Sequence, residues 1–226
     1  MRNTFINELT KHTEIKKNIH LVVGDLGFSV IENFKELFPE NFFNAGVAEQ
    51  NMTGLAAGMA SEGCHVFTYS IANFPTFRCA EQIRNDVDYH NLSVTVVAVG
   101  GGVAYGPLGY SHHAIQDYAL IRTMPNMLIA SPGDPIETKA CLNYLVEKPQ
   151  PSYLRLGKNG EKNFNSDFIE LHPGEWNLVK KSTNRKNNKA IVSTGAVLSR
   201  SMKINEILDY DVYSLPLWGM KQKDVQ

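Results

Sequence analysis

Residues 93–99 read SVTVVAV, an apolar run that is β-branched almost throughout. Such a run is typical of a central strand in a parallel sheet, where both faces are buried. Shorter apolar runs lie at residues 20–24, 65–69, 127–130 and 153–156, with stretches of helical periodicity between them. This alternation up to residue 156 predicts an α/β fold, with a mostly parallel sheet and helices on both faces.

Length and composition narrow the class of protein. With 226 residues the chain can bury a sizeable core and form one or two domains. Its net charge of −1 gives no electrostatic case for binding nucleic acid or an anionic membrane. No apolar run reaches the roughly 18 residues that a transmembrane helix needs. We therefore expect neither nucleic acid nor a membrane as a partner.

Cysteine usage bears on the compartment. Cys64, Cys79 and Cys141 are odd in number, widely spaced and without a CxxC pair. This usage is typical of reduced thiols rather than of a disulfide framework or a zinc site. The first residues, MRNTFINELTKH, also lack the apolar core of a signal peptide. We therefore expect a cytoplasmic protein.

A change of composition divides the chain. Polar and charged residues dominate positions 159–188, apart from an apolar patch at 176–179. We predict a first domain over residues 1–164, a linker containing one strand over 165–188, and a partial α/β C-terminal domain over 189–226. The C-terminal domain holds a single βαβ unit, which needs other surface to cover it.

An acidic residue opens a helix made of small residues. Positions 42–60 read FFNAGVAEQNMTGLAAGMA, and Glu49 falls in the first turn of the predicted helix. An acid at this position commonly does no more than complement the helix dipole. A helix so rich in Gly and Ala, however, gives up intrinsic stability, which indicates close packing by a subunit or a cofactor. Open α/β folds bind ligands at this kind of strand–helix junction.

Two further stretches carry candidate residues with ordinary alternatives. Asp25 follows the first strand, either as a turn residue or as an acid at the strand's carboxyl end. Phe74 and Phe77 lie on a predicted helix over residues 74–87, where an aromatic stripe more often belongs to the core.

The glycine-rich stretch at 100–113 contains neither GxGxxG nor GxxxxGK[ST]. It ends in His112 and His113, which as neighbours converge poorly on one metal ion, so hydrogen bonding or proton transfer is favoured. Arg155 and Lys158 lie at the carboxyl end of the last strand of the sheet. These cations are either solvated or hold an anionic group of a substrate.

Together these sequence stretches resemble the pyrimidine-binding domain of the transketolase family of thiamine-diphosphate enzymes. The resemblance rests on GDLGFSV at 24–30, the stretch at 42–60, FPTFRCAEQIRNDV at 74–87, GPLGYSHHAIQDYALIRTMPNMLIASPGDPIE at 106–137, and PSYLRLGKN at 151–159. These stretches occur in the family's order. The pattern is similar to transketolase, to 1-deoxyxylulose-5-phosphate synthase and to the small subunit of a split transketolase. It implies the thiamine-diphosphate-binding fold.

The resemblance implies cofactor-binding roles. Glu49 matches the glutamate that hydrogen-bonds the pyrimidine ring and promotes the tautomer that acts as base, which makes it a catalytic candidate. Phe77 matches the aromatic residue that stacks on this ring, with Phe74 nearby. Asp25 and Leu26 match the pair beside the thiazolium ring.

The resemblance also implies substrate-binding roles. His112 matches the family's catalytic histidine near the aminopyrimidine and the substrate oxygens, and His113 is the alternative. Arg155 and Lys158 fall where the family binds a substrate phosphate. Two positions depart from the family pattern. Leu108 stands where the family has an aspartate that contacts a donor hydroxyl, and Lys158 stands where arginine is common.

The second half of a family active site has no counterpart in this sequence. The family binds the diphosphate through a divalent metal on a domain with a GDG…N motif, and this chain has none. The resemblance therefore implies a separate diphosphate-binding subunit, which holds Mg²⁺ or another divalent ion, and a core homodimer of pyrimidine domains. The implied reaction is transfer of a two-carbon ketol unit between sugar or sugar-phosphate substrates.

Two alternatives stay open at this point. The first is the β subunit of a 2-oxoacid dehydrogenase, although LIRTMPN at 120–126 and SPGDPIE at 131–137 favour transketolase. The second is a non-catalytic scaffold or regulatory remnant of the pyrimidine domain. Leu108 and the short C-terminal part favour a remnant, whereas Glu49, Phe77 and His112 together argue against it.

Overall fold

The computed structural model describes residues 1–158, 160–166, 168–184 and 187–219. Its strands are β1 (Ile19–Val23), β2 (Phe42–Asn44), β3 (His65–Ile71), β4 (Val94–Val99), β5 (Leu128–Ala130), β6 (Ser152–Leu156), β7 (Asn177–Lys180), β8 (Ala190–Ser193) and β9 (Asp211–Ser214). Its α-helices are α1 (Arg2–Ile15), α2 (Glu32–Leu37), α3 (Glu49–Ser61), α4 (Ala80–Gln82), α5 (Asp117–Ile121), α6 (Pro135–Glu147) and α7 (Leu198–Leu208). Residue 159 of the last recognised motif and residues 220–226 of the predicted C-terminal domain lie outside the described residues.

The main sheet has six strands in the order β2-β1-β3-β4-β6-β5, and all its pairings are parallel. Strand β4 lies between β3 and β6, and each of its residues is buried. The run at 93–99 is therefore a central strand, as its β-branched composition predicts. Since parallel strands all end at one edge, the loops after β1, β3, β4 and β6 meet there.

Two cores cover the two faces of this sheet. On one face, side chains from α1 and α6, such as Phe5 and Leu142, pack on Phe67 and Val97. On the other face, α3 and the helical segment 74–88 cover alternate strand residues such as Val96. This alternation confirms the predicted α/β fold with helices on both faces.

The helical segment 74–88 differs from the regular helix that the sequence predicts. Helix α4 is flanked by π-helical turns at Phe74–Arg78 and Ile83–Asp88. A π-turn closes i→i+5 hydrogen bonds, so side chains after it no longer follow the 3.6-residue period. The expected apolar stripe is accordingly broken: Ile83 is buried, whereas Phe77 is 36% exposed.

A second sheet has three strands in the order β7-β9-β8, with β7 antiparallel and β8 parallel to β9. Strand β7 comes from the stretch expected to be a linker, and it pairs with the C-terminal part of the chain. Glu137 on α6 joins the two sheets, because its carboxylate accepts hydrogen bonds from Asn177 and Ser214, each at 3.0 Å. Burial raises the pKa of Glu137, and hydrogen bonds from Gly133 and Asn177 oppose this rise.

His65, at the start of β3, predicts a pH-dependent stability. Burial, with a smaller contribution from Lys16, lowers the pKa of His65 to about 3. An unfolded histidine titrates near pH 6.5, so between these values the folded protein binds fewer protons than the unfolded chain. We expect this residue's contribution to the free energy of unfolding to be complete above about pH 6.5 and to fall by about 1.4 kcal/mol per pH unit below it.

Urea denaturation at several pH values measures this slope. His65→Phe should reduce it between pH 6.5 and 4, whereas the exposed His90→Gln should leave it unchanged. An identical slope in the wild type and in His65→Phe contradicts the assignment.

Candidate active site

Glu49 is the first residue of α3, yet its side chain is only 2% exposed. Its Oε1 accepts a hydrogen bond from the Ser70 hydroxyl at 3.3 Å, and its Oε2 accepts one from Arg78 Nη1 at 3.1 Å. A Cβ on Gly24 would lie 3.5 Å from the Glu49 side chain, so the end of β1 also packs against this carboxylate. A buried carboxylate with a cationic partner is more than a surface helix cap, because charged groups are rarely buried unpaired.

A row of rings runs from Glu49's partner across this edge of the sheet. The Arg78 guanidinium lies 4.4 Å from the Phe74 ring centroid, and Phe74 meets His112 edge-on at 5.2 Å. The His112 ring lies 6.0 Å from Tyr105, and the Lys158 ammonium lies 4.9 Å from the Tyr105 centroid. We call Phe74, His112 and Tyr105 the aromatic row. It brings three predicted site residues, Phe74, His112 and Lys158, into one continuous set of contacts.

Two members of this set were missed by sequence reasoning. Tyr105 lies in the glycine-rich stretch between β4 and α5, where no spacing signal distinguishes it from its neighbours. Arg78 follows Phe77 directly, and its contact with Glu49 spans 29 positions of sequence. Only a preceding assignment of Glu49 could have directed attention to a nearby cation.

The two adjacent histidines have different surroundings. His112 lies between Phe74 and Tyr105 in the aromatic row, and its Nδ1 lies 3.0 Å from the Ser111 hydroxyl. His113 turns into its own loop, where its Nε2 lies 3.0 Å from the Gly106 carbonyl oxygen. The backbone of Ser111 is tied to the end of β3 by a 2.8 Å hydrogen bond from the Asn73 amide. This geometry favours His112 over His113 as the functional histidine.

The guanidinium of Arg155 is held by acceptors of the protein itself. Its Nε and Nη2 form a bidentate ion pair with Asp117, at 2.6 and 3.2 Å. Nη2 also donates to the Ala114 carbonyl at 2.7 Å, and Nη1 donates to the Tyr118 hydroxyl at 3.1 Å. The side chain is 15% exposed. The expectation that Arg155 binds a substrate phosphate therefore stays a prediction, and in this structure its donors hold Asp117 and the end of the histidine loop.

Asp117 extends this network to the helical segment 74–88. The Tyr153 hydroxyl donates to Asp117 Oδ2 at 2.8 Å and lies 3.1 Å from the Thr76 hydroxyl. Burial and, to a lesser degree, the Asp117 carboxylate raise the pKa of Tyr153 well above its usual value, so the phenol stays a donor. The network thus joins the loop that carries His112 to the segment that carries Phe74 and Phe77.

Lys158, in contrast, is exposed at the carboxyl end of β6. Among the described residues, the one aromatic ring that its ammonium contacts is that of Tyr105. Lys158 takes part in none of the ion pairs found among these residues. Leu108 is also exposed, on a short 3₁₀ turn in the loop that carries Tyr105. An apolar side chain therefore faces solvent where the family has an aspartate. Of the two predicted cations, Lys158 is the more exposed.

Asp25 and Leu26 lie on the loop after β1. Asp25 has a left-handed backbone with φ 54°, and its carboxylate accepts a hydrogen bond from the Asn44 amide at 2.9 Å. Asn44 also accepts from the Asp25 backbone N–H at 3.1 Å, so the two strand ends are tied together. Leu26 packs partly against the core beneath. Both residues thus lie at the carboxyl-terminal edge of the sheet, as Glu49 does. They share no hydrogen-bond partner with Glu49 in the contacts described above.

Other expected sites receive simple answers from the described part of the chain. Within it, no three His, Cys, Asp or Glu side chains cluster as metal ligands. None of its helices combines the length and apolar character needed to cross a membrane. All three cysteines are free thiols, and burial raises the pKa of Cys79 to about 11, which makes it a poor nucleophile.

The fold and this edge define an α/β protein with a buried carboxylate at the carboxyl-terminal edge of its parallel sheet. Residues 1–160 match the family described as transketolase, pyrimidine binding domain. The chain belongs to this family.

Known relatives agree with this membership. The chain is 35% identical over 184 residues to a subunit of the apulose-4-phosphate transketolase of Phocaeicola vulgatus, covering 80% of this chain and 59% of the relative. It is 35% identical over 198 residues to a putative transketolase C-terminal section of Methanocaldococcus jannaschii, covering 85% and 61%. The chain thus spans less than two thirds of the length of either relative.

A solved structure extends the likeness to three dimensions. It is described as a split gene transketolase in an inactive beta4 tetramer, and it superposes with a TM-score of 0.83 at 31% identity. The superposition covers 95% of this chain and 70% of the other. The α/β architecture with a smaller second sheet is therefore that of a known fold.

Proposed function

We propose that this chain is the pyrimidine-binding subunit of a split transketolase that depends on thiamine diphosphate. The observation that carries the proposal is Glu49, a carboxylate buried at the carboxyl-terminal edge of the sheet and ion-paired to Arg78, which directly follows partly exposed Phe77. The proposed activity is transfer of a two-carbon ketol unit between sugar phosphates. The names of the relatives, one of them a transketolase subunit, support a shared active site built from two chains.

The residues present fit the pyrimidine end of the cofactor. Thiamine diphosphate, when bound, supplies a carbanion that accepts and releases the two-carbon unit. Glu49 offers a buried acceptor to a ring nitrogen, and the open face of Phe77 suits stacking on an aromatic ring. Asp25 and Leu26 line the edge next to the end of β1. The role of this chain is therefore to bind and orient the ring and to hold the proton shared with Glu49.

The aromatic row and its end suit the substrate. His112 supplies an imidazole that can hydrogen-bond a substrate oxygen or move a proton. Lys158 supplies an exposed point charge for a phosphate, without the bidentate fork of arginine. Because Leu108 is apolar, we propose that the donor lacks the hydroxyl contact that an acid would make there.

The proposed assembly supplies what this chain lacks. A separate subunit would bind the diphosphate and Mg²⁺ or another divalent ion, and two copies of this chain would form a core dimer. Exposed Leu55, with Gly54 and Gly58 open beside it on α3, supports a closely packed partner helix. We further propose domains over residues 1–164 and 189–226 joined by 165–188. Unpaired cysteines support the cytoplasm as the compartment.

Neither alternative function is favoured. The relatives named above are transketolases, and their names give no support to the β subunit of a 2-oxoacid dehydrogenase. A scaffold has no chemical need for a buried Glu49 whose ion-pair partner Arg78 leads to the aromatic row that contains His112. The proposal therefore keeps a catalytic subunit.

Turnover by a reconstituted enzyme tests the proposal. This chain, its diphosphate-binding partner, thiamine diphosphate and Mg²⁺ are mixed, and either a ketose phosphate or pyruvate is offered with an aldose-phosphate acceptor. We expect transfer from the ketose phosphate that depends on both chains. Oxidative decarboxylation of pyruvate with an added electron acceptor, and without transfer to the aldose phosphate, would support the dehydrogenase subunit instead, and no turnover with any donor would support a scaffold.

A further inference from the structure

Arg78 holds the one carboxylate that the proposed function depends on. Its Nη1 donates to Glu49 Oε2 at 3.1 Å, while the Ser70 hydroxyl donates to Oε1 at 3.3 Å. The carboxylate is thus held from two sides, by a neutral donor on β3 and by a cation on the first π-turn. Each carboxylate oxygen has a second acceptor position, which leaves capacity for a ligand.

The cation itself is held in place. The Arg78 guanidinium stacks on the Phe74 ring at 4.4 Å, within the same π-helical turn. Stacking of this kind restricts a long side chain that is otherwise 52% exposed. The π-turn therefore presents a stacked ring and a charge to Glu49 together. Arg84, on the next π-turn, bonds its neighbour Asn85 instead.

The charge balance of the site also depends on this contact. Glu49 is 2% exposed, and a carboxylate so deeply buried needs a partner to offset its lost hydration. Among the described residues, Arg78 is the only cation that forms an ion pair with it. Since the Arg78 side chain is half exposed, its positive charge approaches the Glu49 carboxylate from the solvent side.

We propose that Arg78 is a positioning residue for Glu49: it fixes the plane and charge of the carboxylate that meets the cofactor's pyrimidine ring. The inference rests on the proposed function, because it assigns Arg78 a role only through Glu49. Arg78 touches neither the substrate nor the reacting atoms in this account. Its loss is expected to weaken cofactor binding and turnover through a misoriented Glu49.

A double-mutant cycle on the assembled enzyme tests this role. Calorimetry with Mg²⁺ present measures thiamine-diphosphate affinity for the wild type, Arg78→Gln, Arg78→Lys, Glu49→Gln and the Arg78→Gln/Glu49→Gln double variant. We expect Arg78→Gln to weaken affinity on the order of 10- to 100-fold, the range that loss of an orienting partner costs at metal sites. Arg78→Lys should recover part of this loss, because it keeps the charge but not the planar group that stacks on Phe74.

The effect of Arg78→Gln in the Glu49→Gln variant distinguishes a positioning role from a general structural role. In Glu49→Gln, the further change Arg78→Gln should have no additional effect on affinity, since the two residues act as one unit. Arg200→Gln, an exposed arginine on α7, is the matched control and should change nothing. Equal losses in both backgrounds, or no loss from Arg78→Gln while Glu49→Gln loses affinity, overturn the inference. Full affinity and turnover in Glu49→Gln would instead overturn the proposed function.

Thermal unfolding of each variant accompanies the cycle. If Arg78→Gln fails to fold, Arg78→Lys carries the test, with an intermediate loss of affinity at unchanged unfolding temperature as the expected result. A wild-type affinity in Arg78→Lys would then overturn the positioning role of the stacked guanidinium.

Discussion

Replacing Glu49 with glutamine is expected to lower turnover of the assembled enzyme by about 10²- to 10⁴-fold, the range that loss of a positioned acid–base group costs. The amide keeps the size of the side chain, so folding and assembly should survive. One of its two terminal atoms becomes a donor, however, and it then faces another donor, either Ser70 or Arg78. The amide also cannot share a proton with a ring nitrogen as a carboxylate does.

Steady-state kinetics on the reconstituted enzyme, with size-exclusion chromatography for assembly, measures this effect. Glu62→Gln is the matched control, because Glu62 is exposed at the other end of α3. It should keep full turnover. Wild-type turnover in Glu49→Gln would remove the catalytic role assigned to this residue.

Replacing Arg155 with alanine is expected to destabilise the fold by about 3–5 kcal/mol, the cost of breaking a buried ion pair by removing one partner. Asp117 is fully buried and would keep only the Tyr153 hydroxyl from this network. The Ala114 carbonyl would also lose its donor, which loosens the loop that carries His112. Urea denaturation monitored by circular dichroism measures the change.

Lys158→Ala is the comparison that separates the two predicted cations. Lys158 is exposed, so its removal should change the free energy of unfolding by no more than about 0.5 kcal/mol, while raising the KM for a phosphorylated substrate. Gly101 gives a second check, because a Cβ there would lie 2.1 Å from Arg155 Nε. Gly101→Ala should therefore be tolerated better in Arg155→Ala than in the wild type. Equal destabilisation by Arg155→Ala and Lys158→Ala would contradict the assignment.

The architecture was accessible from sequence because its determinants are local. Apolar runs separated by helical periodicity fix where strands form, and parallel strands joined by crossover helices place those helices on both faces. The continuous β-branched run at 93–99 correctly predicts the central strand β4. Glu49 and His112 both lie at the carboxyl-terminal edge of the sheet, because each belongs to a segment that follows a parallel strand.

The parts that sequence reasoning missed depend on long-range contacts. Arg155 looks like a free cation at a strand end, and only the fold brings Asp117, 38 positions away, into contact with it. Arg78 and Tyr105 acquire their partners in the same way. The exposure of Phe77 depends on π-turns, which shift the helical register. Pro75 lies in the first of these turns, but a proline at the start of a helix is equally typical of a regular first turn.

We propose that this chain builds an active site together with a diphosphate-binding subunit. Purification of the chain from its native lysate with thiamine diphosphate and Mg²⁺ present, followed by mass spectrometry, tests this assembly. We expect recovery of a second chain that carries a GDG…N motif, in a stoichiometric amount. Recovery of this chain alone, or with proteins that lack such a motif, would contradict it.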